Sequence, residues 1–307
     1  MIISASRRTD IPALYSVWLM NRLKEGYLLF PNPYNANRLG RVELSPVNVD
    51  CIVFWTKNPA PMLDKLGLLK EMGYHFYFQF TLTPYNESIE SNLPSKSKLI
   101  QTFIELSEKT SSERTVWRYD PIFIDEKHSV EWHIEKFYLM SDILKTYTER
   151  CIISFLDPYK NIGNHFRGLT NSEMNRIASE FSEIARKCDL ALFTCAEVID
   201  LSQYGIAHAS CIDKSLIEQT IRSPIKAKLA SSQREPCFCI ESIDIGVYDT
   251  CSNGCAYCYA NSNRQIVGQR TVAHDPKAPM LTGYPSGKEI VTNRTLRSQI
   301  ISQTSLF

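Results

Sequence analysis

Three cysteines near the C-terminal end carry the clearest chemistry in this chain. Cys251, Cys255 and Cys258 are spaced C-x3-C-x2-C in the stretch Cys251-Ser-Asn-Gly-Cys-Ala-Tyr-Cys-Tyr259. Three thiolates this close on one loop suit a four-iron, four-sulfur cluster, each thiolate holding one iron. The fourth iron then has no protein ligand, and an open iron can bind a small molecule directly. Zinc fits less well, because a structural zinc site wants four closed ligands, usually in paired short spacings. Gly254 suits the turn, since a loop wrapped round a cluster needs a residue that tolerates positive φ. Spacing alone gives a three-thiolate metal site.

A second set consists of Cys195, Cys211, Cys237 and Cys239. In the C-x-C pair both sulfurs of an extended segment point to the same side. Four thiolates could close a site around a second four-iron cluster or a zinc ion, and spacing does not choose between them. The plain alternative is four unconnected buried thiols. That plain reading is adopted for Cys51, Cys151 and Cys188, which lie in or beside apolar stretches without a short-spaced partner.

These residues need a scaffold, and 307 residues can bury one large core. A repeating pattern runs through the chain. A short apolar or β-branched run ends in polar residues, and a helical stretch follows. The runs are Ile2–Ala5, Cys51–Trp55, Phe76–Leu82, Thr115–Tyr119, Cys151–Leu156, Leu190–Thr194 and Ile243–Tyr248. Helices are expected over 12–25, 59–72, 95–109, 130–148, 172–187 and about 213–222. Strands alternating with helices predict parallel pairing and an α/β fold. A (βα) TIM-type barrel is favoured over a doubly wound sheet, because charged and polar residues crowd nearly every strand end. They include Ser6, Arg7 and Asp10; Thr56, Lys57 and Asn58; Arg118 and Asp120; Ser154 and Asp157; Cys195 and Glu197. A parallel barrel gathers such ends at one mouth, where its active site lies. The competing view, that loops are polar wherever they begin, explains a few of these ends better than the whole set. In a closed or nearly closed ring the last strand, about 242–248, neighbours the first.

The formal net charge is +1 and the longest apolar runs are strand-length, so neither nucleic-acid nor membrane binding is expected. Arg7, Arg8 and Asp10 stand where an export signal would need its apolar stretch. Ten cysteines without such a signal point to a reducing, cytoplasmic setting. His75 and His165 read as ordinary surface or core residues. His274, just after the cysteine loop, is left open. The polar tail beyond about 285 is expected as a helix or a loose arm over the barrel.

The C-x3-C-x-aromatic-C loop resembles the signature of the radical S-adenosylmethionine (SAM) superfamily. The stretches Ile3-Ser-Ala-Ser-Arg-Arg-Thr-Asp-Ile-Pro12, Phe54-Trp-Thr-Lys-Asn-Pro59, Trp117-Arg-Tyr-Asp-Pro121, Cys195-Ala-Glu197, Cys211-Ile-Asp213 and Ser242-Ile-Asp-Ile-Gly-Val-Tyr248 extend a resemblance over most of the chain. They resemble a family catalogued as domain of unknown function 1848, whose C-terminal cysteines look like a displaced radical SAM motif. The resemblance implies a single domain over 1–307, with the cluster strand and loop at 242–262 and a C-terminal arm from about 263. It implies a circularly permuted radical SAM barrel. The open iron would chelate the amino and carboxylate groups of SAM. One electron would then cleave SAM to methionine and a 5′-deoxyadenosyl radical. The Gly-Gly-Glu motif that usually holds the SAM amino group is missing. Its position falls on Ser4-Ala-Ser-Arg7, where Ser4, Ser6 or a backbone carbonyl would stand in. Tyr257 and Tyr259 would shield the cluster or touch the adenine. Arg7, Asp10, Lys57, Arg118, Asp120 and Glu197 are the candidate catalytic residues. The basic ones suit the SAM carboxylate or a small anionic substrate. Auxiliary clusters are common in the superfamily, so the second quartet is expected to hold iron before zinc. An electron donor such as flavodoxin or ferredoxin is implied. The other readings are a non-catalytic iron–sulfur or zinc protein acting as a redox sensor, and a radical SAM nucleic-acid repair enzyme. The first leaves the polar strand ends without a task. The near-zero net charge speaks against tight duplex binding in the second.

Overall fold

Cys51–Trp55 and Phe76–Phe78 are apolar at successive positions, so both faces of each strand must be covered. The computed structural model describes every residue except 33–34, 158–165, 232–236, 295–296 and 302–307. Along the chain come β1 (Ile2–Ala5), α1 (Ile11–Leu14), α2 (Ser16–Glu25), β2 (Tyr27–Asn32), β3 (Asn35–Glu43), β4 (Cys51–Thr56), α3 (Leu66–Glu71) and β5 (Phe76–Thr81). There follow α4 (Lys96–Lys109), β6 (Thr115–Ile122), α5 (Val130–Leu144), β7 (Arg150–Phe155), α6 (Asn171–Lys187), β8 (Ala191–Thr194) and β9 (Ala207–His208). The last are α7 (Lys214–Ile221), β10 (Ile243–Asp244), α8 (Arg264–Val272) and β11 (Ile290–Arg294).

Eight strands form one sheet in the order β10-β1-β4-β5-β6-β7-β8-β9, and every pairing in it is parallel. The expected seam is present: Ile3 pairs with Ile243 and Ser4 with Asp244. On one face, Phe54, Phe78, Trp117 and Ile153 bury against Leu99 and Phe103 of α4, Phe137 of α5 and Phe181 of α6. Phe137 and Phe181 stack with centroids 3.8 Å apart. Helix α6 buries Ile177, Ala178, Phe181, Ile184 and Ala185 along one stripe, and a capping box at Thr170 and Glu173 starts it.

The ring does not close, which corrects the TIM-type barrel. β9 and β10 are the two edges of the sheet. The reason lies on the other face. There Cys51, Val53, Tyr77, Val116 and Ile152 pack against Ile212, Leu216, Ile217 and Ile221. A closed eight-stranded barrel has room inside for its own side chains only. A helix on that face holds the sheet open. Tyr77 Oη and Gln79 Nε2 fix the insertion by donating to the Cys211 carbonyl at 2.8 and 2.9 Å.

Three further expectations are corrected. The helix over 12–25 breaks at Tyr15 into α1 and α2, and that over 59–72 opens as a 3-10 turn, Ala60–Lys65. Among its described residues the tail is neither one helix nor a loose arm over the barrel. β11 pairs parallel with β3, which pairs antiparallel with β2. The stretch before it lies along α2, where Trp18 Nε1 donates to the Ala278 carbonyl at 2.9 Å. No helix among the described residues is long and apolar enough to cross a membrane.

Candidate functional site

A parallel sheet points all its strand ends, and the loops that leave them, the same way. The ends of β1, β4, β5, β6, β7 and β8 meet the cysteine loop around one cavity of about 680 Å3. Of the residues singled out from the sequence, Ser6, Arg7, Asp10, Lys57, Arg118, Asp120, Glu197, Tyr257, Tyr259 and all seven named cysteines line it. Ser4 alone does not.

The cysteine loop is built onto the segment after β5. Cys255 bridges Glu90 in antiparallel fashion, and the Ala256 amide donates to the Ile89 carbonyl at 2.8 Å. Gly254 sits at φ 72°, and a Cβ there would lie 2.3 Å from Ser91 Oγ. Both facts explain glycine at this turn. Glu90 is the anchor below the loop. Glu90 is 2% exposed, and its carboxylate accepts from Lys57 Nζ at 2.8 Å, Thr83 Oγ1 at 3.0 Å, Lys96 Nζ and Tyr257 Oη. Burial alone would raise this carboxyl, but the two ammonium groups outweigh it and bring it down to about 2. Burial lowers the Lys57 ammonium, yet Glu90 and then Cys255 hold it up on balance. The Tyr257 ring closes the loop from one side, packed with Tyr85, Phe123, Leu156 and Phe166.

Two aspartates tie the loop to β1. Asp10 caps α1 through the Ala13 amide at 3.0 Å and accepts from the Lys57 amide at 2.7 Å and Asn253 Nδ2 at 2.9 Å. Asp10 therefore latches three segments, and burial raises its carboxyl. Asp244, on β10, accepts from Ser4 Oγ at 3.0 Å, from Ser6 Oγ, from the Arg7 amide at 2.9 Å and from the Gly246 amide at 3.0 Å. Ser4 and Ser6 thus spend their hydroxyls on the seam. Tyr259 Oη donates to the Arg7 carbonyl at 2.7 Å.

The second quartet also comes together. Cys195 Sγ lies 2.7 Å from Cys211 Sγ, and Cys239 hydrogen-bonds to both Cys211 and Cys237. Arg118 Nη1 donates to Cys211 Sγ at 3.0 Å, while its Nε donates to Asp120 Oδ2 at 3.0 Å. The Asp120 carboxylate also accepts from Ser154 Oγ. Trp55 lies between Arg118 and Arg7, with guanidinium carbons 5.3 and 5.8 Å from its ring centre. Glu197 accepts from the Phe155 amide at 2.9 Å. Burial first, then nearby Asp157 and Asp120, push its carboxyl up to about 8.

The thiols of the loop fit a metal centre by their chemistry. Burial pushes Cys251 up to about 12 and raises Cys255 and Cys258 as well. As bare thiols they stay protonated at neutral pH, and a bound metal would displace those protons. Among the described residues no three His, Cys, Asp or Glu side chains are already gathered round a single ion position. His75 is exposed, and His274 Nδ1 donates to the Leu281 carbonyl at 3.0 Å, away from the cavity. His165 lies outside the described residues. Cys51, Cys151 and Cys188 are buried in the apolar clusters.

Sequence reasoning missed Glu90, Asp244 as a seam latch, and Asn253. Glu90 stands in a polar loop, Asn86-Glu-Ser-Ile-Glu-Ser-Asn92, with no ligand spacing or helical period to mark it. Its importance comes only from Lys57 and Tyr257, which lie 33 and 167 positions away.

No curated protein matches this chain. One solved structure that does is a crystal structure of a candidate alpha-L-fucosidase from Bacteroides thetaiotaomicron VPI-5482. It is 13% identical, covers 52% of this chain and 68% of that chain, and has a TM-score of 0.28. A likeness that low carries no argument. The family described as domain of unknown function (DUF1848) matches residues 2–260, from the first strand through the whole cysteine loop, and the chain belongs to that family.

Proposed function

We propose that this protein is a radical SAM enzyme, with an open 4Fe–4S cluster held by Cys251, Cys255 and Cys258. One observation carries the reading. The three loop thiols open onto the same cavity as the polar ends of six parallel strands. The order of strands supports a permuted radical SAM sheet, since the cysteine loop follows β10 and β10 pairs with the N-terminal β1. When bound, the cluster and SAM would supply a carbon-centred radical by one-electron reductive cleavage.

The chain's own part is to hold, orient and exclude. Lys57 and Glu90 fix the loop from below, and Tyr257 walls it with aromatic surface. Asp244 and Asp10 fix it to β1 and α1. Cationic groups face the cavity beside carboxylates: Arg7 with Asp244, Arg118 with Asp120. This balance suits ligands that carry both charges, as SAM does, at least as well as a purely anionic substrate. A ligand carboxylate entering the cavity would meet these guanidinium groups, and a ligand ammonium their carboxylate partners. Ser4 and Ser6 hold Asp244, so the amino group of SAM falls to other acceptors at this seam.

The test is anaerobic reconstitution with iron and sulfide, then incubation with SAM and dithionite. Wild type should form 5′-deoxyadenosine, and the Cys251→Ala, Cys255→Ala, Cys258→Ala triple variant should form none. Normal product from the triple variant overturns the proposal. Flavodoxin or ferredoxin should replace dithionite as donor.

A further inference from the structure

We infer that Cys195, Cys211, Cys237 and Cys239 hold a second metal centre, an iron–sulfur cluster, that opens onto the same cavity as the loop thiols. The inference concerns different thiols and does not need the radical SAM reading.

Three separate segments deliver the four sulfurs. Cys195 follows β8, Cys211 precedes α7, and the C-x-C pair precedes β10. Nothing in local structure requires these segments to meet through cysteine. Yet Cys195 and Cys211 touch, Cys239 hydrogen-bonds to Cys211 and Cys237, and the Ile212 amide donates to Cys239 Sγ at 3.4 Å. Amide donation to sulfur is what cluster thiolates receive from a protein. Cys211 and Cys239 share an apolar cluster with Cys51, but Cys51, Cys151 and Cys188 lie off the cavity.

An independent observation is the guanidinium of Arg118. It is 4% exposed and places Nη1 3.0 Å from Cys211 Sγ. Asp120 already pairs the buried charge, yet Nη1 is given to a sulfur, and a neutral thiol is only a weak acceptor. A thiolate on an anionic centre makes that bond charge-assisted. Asp120 takes the other edge of the same guanidinium and fixes its plane. Arg118 is thus a positioning residue for the quartet.

The choice of iron–sulfur rests on room. All four cysteines line the 680 Å3 cavity, with Cys211 and Cys239 also packed into the apolar cluster behind it. Thiolates round one zinc ion stand roughly 3.8 Å apart in a closed tetrahedron. The 2.7 Å pair must part to admit any metal, and the cavity gives the sulfurs somewhere to go. A cluster uses that space, with each thiolate on a different iron.

The experiment measures iron, sulfide and zinc in anaerobically reconstituted protein. Wild type should carry about eight irons per chain, and the loop triple variant about four. Adding Cys237→Ser and Cys239→Ser to the triple variant should remove the remainder. The pair is chosen because Cys237 lies toward the surface, and circular dichroism checks that the variants fold. In the triple-variant background, Arg118→Gln should move the midpoint potential of the remaining cluster to more negative values, and Arg118→Lys should restore part of the shift. A folded triple variant without iron overturns the inference, as does zinc in place of iron. A triple variant that keeps its iron after Cys237→Ser and Cys239→Ser are added also overturns it. None of these results depends on SAM cleavage. Loss of 5′-deoxyadenosine formation with the quartet iron intact would sink the proposed function alone.

Discussion

Glu90→Gln takes one negative charge from between two ammonium groups and leaves the volume unchanged. The carboxylate side chain is 1% exposed, and Lys57 and Lys96 both pair with it. Its folded value of about 2 stands against an ordinary 4.5, a difference worth about 3 kcal/mol at neutral pH. Removing one partner of a buried pair gives a similar figure, about 3–5 kcal/mol, because an unpaired charge is left behind. The sign follows from the depressed carboxyl. Its contribution is complete above about pH 4.5 and is lost as pH falls toward 2. Urea unfolding in reducing, metal-free buffer should therefore show Glu90→Gln less stable by about 3 kcal/mol at pH 7, with most of the difference gone by about pH 3. Reconstitution should show the second consequence, since Lys57 and Tyr257 lose the group that fixes them beside Cys255. Iron at the loop site should fall while the quartet's iron stays. A loss below about 1 kcal/mol at pH 7, or a loss that does not change with pH, refutes the assignment of Glu90 as the anchor.

Three other outcomes follow from the geometry. Gly254→Ala places a methyl 2.3 Å from Ser91 Oγ at positive φ, and should cost at least about 1–2 kcal/mol with loss of loop-site iron; equal stability and iron would refute the turn argument. Asp244→Asn leaves four donors facing an amide, and should cost about 2–3 kcal/mol and speed amide exchange at Ile245, which bonds back to Ser4; unchanged exchange would show that the seam holds without it. His133 is fully buried, donates Nε2–H to the Phe123 carbonyl and accepts from Tyr119 Oη, and burial lowers it to about 4. Its folded value is below the ordinary 6.5, so its stabilising part is complete above about pH 6.5 and falls away toward pH 4, by about 3 kcal/mol. An NMR titration that finds this imidazole near 6.5 refutes it.

The strand ends were legible because parallel strands covered on both faces leave long apolar runs, and each run stops where its polar tip begins. β4, with Cys51–Trp55 followed by Thr56 and Lys57, shows this plainly. The seam between β10 and β1 was legible for a topological reason, as a ring puts its last strand by its first. The open edge was not, because α7 has an ordinary amphipathic period and nothing in that period says which face of the sheet it will cover. β11 was hidden by exposure: all five of its residues face solvent, so no alternation marks it. Cysteine types and spacings announced both thiol sets, and the structure gathers each set on the cavity. Glu90 and Asp244 stayed silent, because a carboxylate's role depends on partners that only the fold brings to it.

The seam at β1 and β10 also sets a clock. Ser4 and Asp244 lie 240 positions apart, and the three loop thiols come later still. At roughly 5–20 residues per second, a ribosome makes β1 about 12–48 s before its neighbour exists. During that interval β1 has β4 on one side and nothing on the other, while seven of the eight strands of the sheet are already made. A chain stalled before residue 243 therefore lacks both the edge strand that flanks β1 and the thiol loop that follows it, while the four cysteines at 195, 211, 237 and 239 are already made.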